Sequence, residues 1–264
     1  MPVSRKIDLL IIGGGPAGAG AAIHAKQLRP DWQVVLIDKD EFPRDKVCGD
    51  GLGPHAVNEM SRLGADGVLG EHLPIHSLRL DGPGGLYLED QPYKPLYALR
   101  RFELDAGLVR CAQELGVEVL VERVDSISTD STGVTVNDVW RAPFVIAADG
   151  ANSRTRRLCG LPFASGHDLA FSVRGYLRSD VTALTITWQK RFAPSYSWAF
   201  PVGDGYANVG FGCLKSARNS PFRLREQAQN IAHSGQAKHE QHEKQNDNAR
   251  LWRRGQRFRL GIGM

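Results

Sequence analysis

The chain has 264 residues, of which 42% are hydrophobic and 23% are charged, with four cysteines and a formal net charge of +4. This is the composition of an ordinary globular protein, and the length suffices for one large domain or two small ones. The scattered cysteines form no C-x-x-C pair, which excludes a metal knot or disulfide framework and fits a reducing compartment. No apolar run approaches the roughly 18 residues of a membrane span, and the first residues lead directly into a strand, so we expect a cytoplasmic protein.

The positive charge is concentrated in the C-terminal part of the chain. From Lys215 onward there are 11 Lys or Arg against 4 Asp or Glu, a net +7, whereas the preceding residues have 22 against 25, a net −3. A nucleic-acid-binding surface on the globular part is therefore not supported. Residues 221–264 form a polar, basic tail, for which we expect solvation or disorder. Its His233, His239 and His242 lack partners at metal-binding spacing, so no metal site is predicted.

Residues 8–38 have the pattern of a βαβ dinucleotide-binding unit. An apolar run at 9–12 leads into a glycine turn, an alanine-rich segment and a second apolar run at 34–37. Gly13, Gly15 and Gly18 match G-x-G-x-x-G, and Asp38 follows about 20 residues later, where a carboxylate can bind a ribose. The glycines permit a tight turn, close approach of backbone to a pyrophosphate and tight helix packing, while the helix N-terminus offers free N–H groups. This stretch does not decide which dinucleotide binds.

The next segment, residues 39–52, has the composition of an irregular loop. Arg44 and Lys46 lie close to Cys48 and Gly49, just after the second strand, where the far half of a bound dinucleotide would lie. A solvated turn explains the same residues equally well.

Residues 54–63 have a helical pattern, and residues 75–99 contain short alternating pieces typical of strands. After Arg101 an amphipathic helix is predicted, because Leu104, Leu108, Cys111 and Leu115 recur at helical spacing. Cys111 is therefore expected to be a buried core thiol. Residues 117–121 and 134–136 are predicted strands.

A further buried strand is predicted at 144–148, and it ends in Asp149, Gly150 and Ser153. A strand that returns to the first sheet and ends in such residues predicts a second phosphate or ribose site. The alternative is a capped turn, in which the Asp or Ser side chain serves the next helix.

Residues 169–214 have an all-β pattern that predicts antiparallel strands of a substrate domain, with a hairpin turn at 201–205. Tyr196, Trp198 and Phe200 share one face of a strand. Such an aromatic series packs in a core more often than in a site, but it can also stack against an apolar ligand.

Five motifs in order resemble those of the geranylgeranyl reductase family of flavoproteins, within the p-hydroxybenzoate hydroxylase type of fold. They are GGGPAGAGAA at 13–22, FPRDKVCGDGL at 42–52, RRFELD at 100–105, AADGANSRTRR at 147–157 and YSWAFPVGDGYANVGFG at 196–212. The resemblance implies an α/β fold, in which a Rossmann-like FAD-binding domain carries an inserted antiparallel β-sheet substrate domain. The expected bounds are 1–75 and 98–168 for the first domain, and 76–97 and 169–220 for the second.

The resemblance also implies that FAD is the cofactor and NAD(P)H a candidate electron donor. The implied cofactor-binding residues are Gly13, Gly15, Pro16, Ala17, Gly18, Asp38, Lys39, Lys46, Cys48, Gly49, Arg101, Val124, Asp149 and Gly150. The glycines would hold the pyrophosphate, Asp38 the adenosine ribose, and Arg101 the phosphate or ribityl side. The implied substrate residues are Tyr196, Trp198, Phe200 and Pro201.

Members of the family reduce isolated carbon–carbon double bonds of prenyl chains by hydride transfer from reduced flavin. A prenyl or lipid-like substrate is therefore expected, with contact to a membrane surface at most peripheral. The oligomeric state is open. Cys48 is the candidate proton donor by its place in the loop, although a buried inert thiol is an equal alternative.

The sequence departs from the family in one respect. The family has a third flavin motif, a strand ending in Gly-Asp-Ala, after its substrate sheet, whereas the late glycine pattern here is Leu260, Gly261, Ile262 and Gly263 without an Asp. The sequence is thus interpreted as C-terminally truncated, with weak or absent FAD binding expected. The alternatives are a FAD-dependent monooxygenase or halogenase of the same fold, and an inactive remnant or nucleotide-binding protein.

Overall fold

The computed structural model describes residues 5–84, 87–162, 170–188, 195–214 and 259–263. Its contacts divide the chain into two compact units. Unit 1 comprises Met1–Lys46, Asn58–Gly70 and Arg101–Phe163, and unit 2 comprises Val47–Val57, Glu71–Arg100 and Ala164–Met264. The loop segment that begins at Val47 thus groups with unit 2. The domain bounds expected from the sequence stay a prediction.

The first half of the chain begins with the predicted βαβ unit. Its elements are β1 (Arg5–Lys6), β2 (Leu9–Ile12), α1 (Pro16–Leu28), β3 (Val34–Asp38), β4 (Gly51–Leu52), α2 (Pro54–Arg62), a short 3₁₀ helix (Asp66–Val68), β5 (Leu78–Asp81), β6 (Tyr87–Asp90), β7 (Tyr97–Ala98) and α3 (Arg101–Glu114).

The second half is mainly β-structure. Its elements are β8 (Glu118–Val121), β9 (Ile127–Asp130), β10 (Gly133–Val136), β11 (Trp140–Ala142), β12 (Phe144–Ala147), α4 (Arg154–Leu158), β13 (Ala170–Arg178), β14 (Leu184–Thr187), β15 (Ser195–Gly203), β16 (Tyr206–Leu214) and β17 (Arg259–Gly263).

Unit 1 is built on a parallel sheet with strand order β12-β2-β3-β8. Every residue of β2 and of β3 is buried, because strands covered on both faces need continuous apolar runs. Ile12 pairs with Ile37 and also with Ala147, so the carboxyl ends of β2, β3 and β12 meet at one edge. That edge is where ligands bind in open parallel sheets. A second sheet, with order β1-β11-β10-β9, carries Val136 and Trp140 into the same core.

Two burial predictions for unit 1 are wrong. Strand β12 is an edge strand whose Phe144 is 60% exposed, because only β2 pairs with it among the described residues. On α3, Cys111 is only half-buried, whereas Arg101 and Asp105 are buried, and Leu115 lies just beyond the end of the helix and is exposed. The apolar spacing was misleading because the buried face of this helix contains an ion pair, and charged residues do not register in a hydrophobic pattern.

Unit 2 contains a seven-stranded sheet with order β17-β13-β16-β15-β14-β5-β6, in which all neighbours are antiparallel except β14 and β5. Strands β4 and β7 form a separate pair. The predicted α/β class with an antiparallel sheet is confirmed. The β15–β16 turn is shorter than predicted: β15 continues through Pro201, and the turn is made by Asp204 and Gly205, both with positive φ as a two-residue type I′ hairpin requires.

The C-terminal region is described only in part. Arg259–Gly263 forms the edge strand β17, which pairs with β13. The remainder of the predicted solvated tail, with His233, His239 and His242, lies outside the described residues. No helix in the described part of the chain is long and apolar enough to cross a membrane.

Candidate functional site

The predicted glycine turn connects β2 to α1, and each of its glycines has its own steric reason. Gly13 has a φ of +100°, and a Cβ atom there would lie 2.5 Å from the Ala148 carbonyl oxygen. A Cβ atom at Gly18 would overlap the Gly13 carbonyl oxygen. Both positions therefore exclude every side chain, which keeps the start of α1 close to the ends of β2 and β12.

Gly15 is different, because the space beside it is open. It is the N-cap of α1, and none of the described side chains caps the helix there; the first turn has Pro16 and no acidic residue. A Cβ atom at Gly15 would meet only the Arg101 Nη2 atom, at 3.5 Å, among the described atoms within 4 Å. The unbonded N–H groups of the first turn, next to a guanidinium, make this helix end suited to an anion.

The Asp38 carboxylate lies at the end of β3, as predicted, and is buried. Its Oδ2 accepts hydrogen bonds from the Gly14 N–H at 2.7 Å and from Arg44 Nη2 at 3.2 Å, and its Oδ1 accepts one from the Asp40 N–H at 3.0 Å. The carboxylate is therefore fixed beside the glycine turn, in the position of a ribose acceptor. Lys39, the next residue, is exposed and pairs with Asp40.

Arg44 connects Asp38 to a second carboxylate that the motifs did not indicate. Its Nη1 donates to Asp105 Oδ2 at 3.0 Å, and its guanidinium stacks over the Phe42 ring at 4.7 Å. Arg101 donates from Nε and Nη2 to the two oxygens of Asp105, at 2.6 and 2.7 Å. Asp105 is thus the hub that holds two guanidinium groups, and it is completely buried.

Lys46 completes the cluster of cations in unit 1. Its Nζ lies 2.8 Å from where a Cβ atom of Gly150 would be, and glycine is favoured at position 150 because its φ is +82°. Burial, followed by repulsion from Arg101 and Arg44, lowers the pKa of Lys46 below its usual value, against the attraction of Asp105 and Asp38. The repulsive part of this effect shows that Lys46 lies close to two guanidinium groups, where an anionic ligand would be stabilised.

The charged groups around the glycine turn are of the kind that binds a dinucleotide cofactor. Three cations, Arg44, Lys46 and Arg101, surround two carboxylates, and an uncapped helix N-terminus faces them. A bound pyrophosphate would place its negative charge beside these cations, and its oxygens would accept hydrogen bonds from N–H groups of the first turn. The residues present in unit 1 therefore fit the pyrophosphate and the adenosine ribose of FAD.

The second predicted nucleotide motif follows β12. The Ala148 N–H donates to the Ile12 carbonyl at 2.7 Å, which draws this segment towards the glycine turn. Asp149 Oδ2 accepts from the Thr155 N–H at 2.9 Å, and Ser153 Oγ accepts from the Arg156 N–H at 2.9 Å. The capping described as the alternative therefore exists in the structure. Val124 is buried, and its carbonyl accepts from Arg154 Nε at 2.7 Å.

In unit 2 the structure brings the aromatic strand and the loop at Cys48 together. Trp198 is buried and Tyr196 is 46% exposed, with their ring centroids 5.7 Å apart. A Cβ atom at Gly51 would lie 3.0 Å from the Phe200 ring. Tyr196 thus provides the open aromatic surface of this face, while Trp198 and Phe200 are packed against the loop. Pro201 continues β15 and is half-buried.

A buried polar network in unit 2 was missed by the sequence reasoning. Asn208 is completely buried, and it bonds to the Cys48 carbonyl, to the Asp50 carboxylate and to the Trp198 indole. Tyr176 donates to Asp50 Oδ2 at 2.5 Å, and the Arg174 guanidinium lies 4.5 Å from its ring. One signal in the sequence could have indicated this network. Asn208 alternates with Gly210 and Gly212 on one face of β16, and these residues pair with the aromatic residues of β15.

No group of three or more His, Cys, Asp or Glu side chains could hold a metal ion within the described ranges. The described cysteines are all free: Cys213 is buried, Cys48 and Cys111 are half-buried, and Cys159 is exposed. Burial raises the pKa of the Cys111 thiol.

Comparison with known proteins gives one family and several named relatives. The model of the FAD binding domain family matches residues 6–190. A menaquinone reductase of Mycobacterium tuberculosis (strain ATCC 25618 / H37Rv) is 35% identical over 237 residues, which cover 83% of this chain and 58% of that protein. Digeranylgeranylglycerophospholipid reductase 1 of Methanopyrus kandleri is 30% identical over 230 residues, covering 82% and 60%. The chain thus spans about three fifths of the length of these curated relatives.

Solved structures share the fold at low sequence identity. A geranylgeranyl bacteriochlorophyll reductase-like protein from Thermoplasma acidophilum has a TM-score of 0.78 at 23% identity, covering 98% of this chain and 66% of that one. The flavin-dependent brominase Bmp2 has a TM-score of 0.72 at 19% identity, covering 98% and 68%. At these identities the likeness concerns the fold alone.

Proposed function

The chain belongs to the FAD binding domain family; on that premise we propose that it is a geranylgeranyl reductase-like, FAD-dependent oxidoreductase that reduces a carbon–carbon double bond of a prenyl or lipid-like substrate. The observation that carries the proposal is the uncapped N-terminus of α1 beside the Arg101 guanidinium, with Lys46 close to Arg101 and Arg44. Relatives with reductase names at 30% and 35% identity support the direction of the chemistry.

The proposed roles in cofactor binding follow from the geometry of unit 1. Gly15, Ala17 and Gly18 offer backbone N–H groups to the pyrophosphate, while Gly13 forms the turn and Pro16, which has no N–H, begins the helix. Asp38 accepts hydrogen bonds from the hydroxyls of the adenosine ribose. Lys39 is the next residue in the chain, and Val124 belongs to the core cluster that contains Ile37. Arg101 and Lys46 balance the phosphate charge, and Gly150 leaves the space that the Lys46 side chain occupies. Asp149 fixes the turn that carries Gly150.

The substrate side of the proposal rests on unit 2. When bound and reduced, FAD supplies the hydride. Tyr196 offers an exposed aromatic surface for an apolar chain, and Trp198, Phe200 and Pro201 support it from β15. Cys48, half-buried in the loop, is the proposed proton donor, with NAD(P)H as the proposed source of electrons. The oxidation chemistry of the brominase-like neighbours has no comparable support, because they resemble the chain in fold only.

The test is turnover by the purified chain with FAD. The flavin is reduced anaerobically, either with dithionite or with NADPH, and a geranylgeranyl diphosphate and a geranylgeranylated glycerophospholipid are added. Mass spectrometry is expected to find products heavier by the two hydrogens of a saturated bond. Free reduced FAD without protein serves as the control. Oxygen-dependent NADPH consumption with halide or an aromatic substrate, and no saturated product, would support the halogenase or monooxygenase instead.

A further inference from the structure

The buried side chain of Asn208 binds the loop at Cys48 to the sheet of unit 2. Asn208 Nδ2 donates to the Cys48 carbonyl at 2.8 Å and to Asp50 Oδ2 at 2.7 Å, while its Oδ1 accepts from the Trp198 Nε1–H at 2.9 Å. Both ends of the amide are therefore occupied. A carboxylate at this position could not donate hydrogen bonds, and a hydroxyl side chain would be too short to contact all three partners. The position therefore requires an amide.

Asp50 needs such a restraint because its backbone is unusual. Its φ is +65°, in the left-handed region that costs a side-chain-bearing residue free energy unless its surroundings hold it. Besides Asn208, the Tyr176 hydroxyl donates to its carboxylate at 2.5 Å, and the Leu99 N–H donates to its carbonyl at 2.9 Å. The turn at Asp50 is thus imposed by strands β13 and β16, which are distant in sequence.

The indole of Trp198 is the third part of the arrangement. A Cβ atom at Gly210 would overlap its six-membered ring, and a Cβ atom at Gly49 would lie 3.4 Å from its Nε1. The ring therefore lies between β16 and the loop. Its position and that of the loop are tied through Asn208, whose oxygen holds the indole and whose nitrogen holds the loop.

We propose that Asn208 is a positioning residue of the reaction, which couples the Cys48–Asp50 loop to the aromatic face of β15. The inference rests on the proposed function, in which Cys48 donates the proton and the aromatic face supports the substrate. Asn208 holds the loop and the aromatic face in one arrangement. The distance between the Cys48 thiol and a substrate bound on that face is thereby kept constant.

The direct test is the alkylation rate of the Cys48 thiol, which does not depend on any enzymatic activity. In a chain carrying Cys111→Ser, Cys159→Ser and Cys213→Ala, only Cys48 reacts with iodoacetamide. Asn208→Ala removes two hydrogen bonds to the loop, and at typical net values for a hydrogen bond it should raise the labelling rate about tenfold. An unchanged rate would overturn the proposal.

Asn137→Ala is the matched control, because the Asn137 amide is also engaged at both ends but lies in the turn between β10 and β11 of unit 1. It accepts from the Asp125 and Ser126 N–H groups and donates to Glu122 and to the Arg123 carbonyl. It should lower the melting temperature without accelerating the labelling of Cys48. Equal acceleration in both variants would show a general loss of stability and contradict a positioning role.

Activity provides the second readout. If the proposed reductase is active, Asn208→Ala should lower kcat about tenfold or more, with a smaller change in KM, whereas Asn137→Ala should leave both near wild type. If no prenyl reduction is found at all, the proposed function fails, while the thiol rates still decide the role of Asn208.

A milder variant covers the case in which Asn208→Ala does not fold. Tyr176→Phe keeps the ring beside Arg174 and removes only the hydroxyl that bonds to Asp50. It should raise the labelling rate of Cys48 several-fold, because one of the restraints on the loop is lost. A rate equal to wild type in this variant would also count against the proposal.

Discussion

At the scale of single residues, the three motif glycines are needed for two different reasons. Gly13 and Gly18 are required by the packing of the turn itself, since a Cβ atom at either position meets backbone atoms. Gly15 faces open space beside Arg101. The motif G-x-G-x-x-G does not distinguish these reasons, because it records only where glycine is needed.

This difference predicts that Gly→Ala lowers the stability at one position and the affinity for FAD at the other. Gly18→Ala should destabilise the chain by about 1–3 kcal/mol, because the methyl group must displace backbone. Gly15→Ala should change stability by under about 1 kcal/mol but weaken FAD binding about tenfold, because the methyl group occupies the place proposed for the pyrophosphate. Urea unfolding and titration of FAD fluorescence measure the two effects. Equal FAD affinity of Gly15→Ala and wild type would remove Gly15 from the proposed site.

At the scale of elements, helix α4 shows how one carboxylate can be part of a motif and still have a structural function. Burial alone would raise the pKa of Asp149, but hydrogen bonds from Ser153 and Thr155 outweigh it and lower the pKa below its ordinary value. The ionised form of Asp149 therefore stabilises the fold. The motif at 147–157 is recognisable partly because the turn before α4 requires side chains, such as Asp149 and Ser153, that can accept hydrogen bonds from backbone N–H groups.

Asp149→Asn should make that contribution visible as a pH dependence. A carboxyl whose pKa is lower in the folded than in the unfolded state stabilises the protein above its unfolded pKa of about 4, and this contribution disappears as pH falls through the folded value. The variant should therefore be less stable than wild type at pH 7, and the difference should shrink below pH 4. Urea unfolding at pH 7, 5 and 3 tests this. A difference that stays constant over this range would contradict the assignment.

At the scale of the whole molecule, the two units carry different parts of the proposed chemistry. Unit 1 holds the cation cluster at the carboxyl edge of a parallel sheet, and unit 2 holds the aromatic face and the buried network around Asn208. The chain covers the family's FAD binding domain over residues 6–190. The expectation of weak FAD binding from the missing third motif stays a prediction.

Ligand binding should therefore protect particular segments. At an FAD concentration 100 times the dissociation constant, binding should stabilise the chain by about 2.7 kcal/mol and raise its melting temperature. Amide hydrogen exchange should slow in the glycine turn and around Asp38, Arg101 and Gly150. The β9–β10 hairpin is the internal control and should exchange as before. Slower exchange in the hairpin but not in the glycine turn would place the ligand elsewhere.

The sequence by itself determined the local parts of this protein: the βαβ unit, the glycine turn, the position of Asp38 and the aromatic pattern of β15. These depend on backbone conformation and on spacing between near neighbours, which are written directly in the order of residues. Only the tertiary structure decided that β12 lies at an edge, that Asp105 is the hub for two arginines, and that Asn208 and Tyr176 meet Asp50. Those last two partners are 158 and 126 residues away from Asp50 along the chain. Hydrogen bonds over such separations leave no periodic signal, because their geometry exists only after the strands have paired.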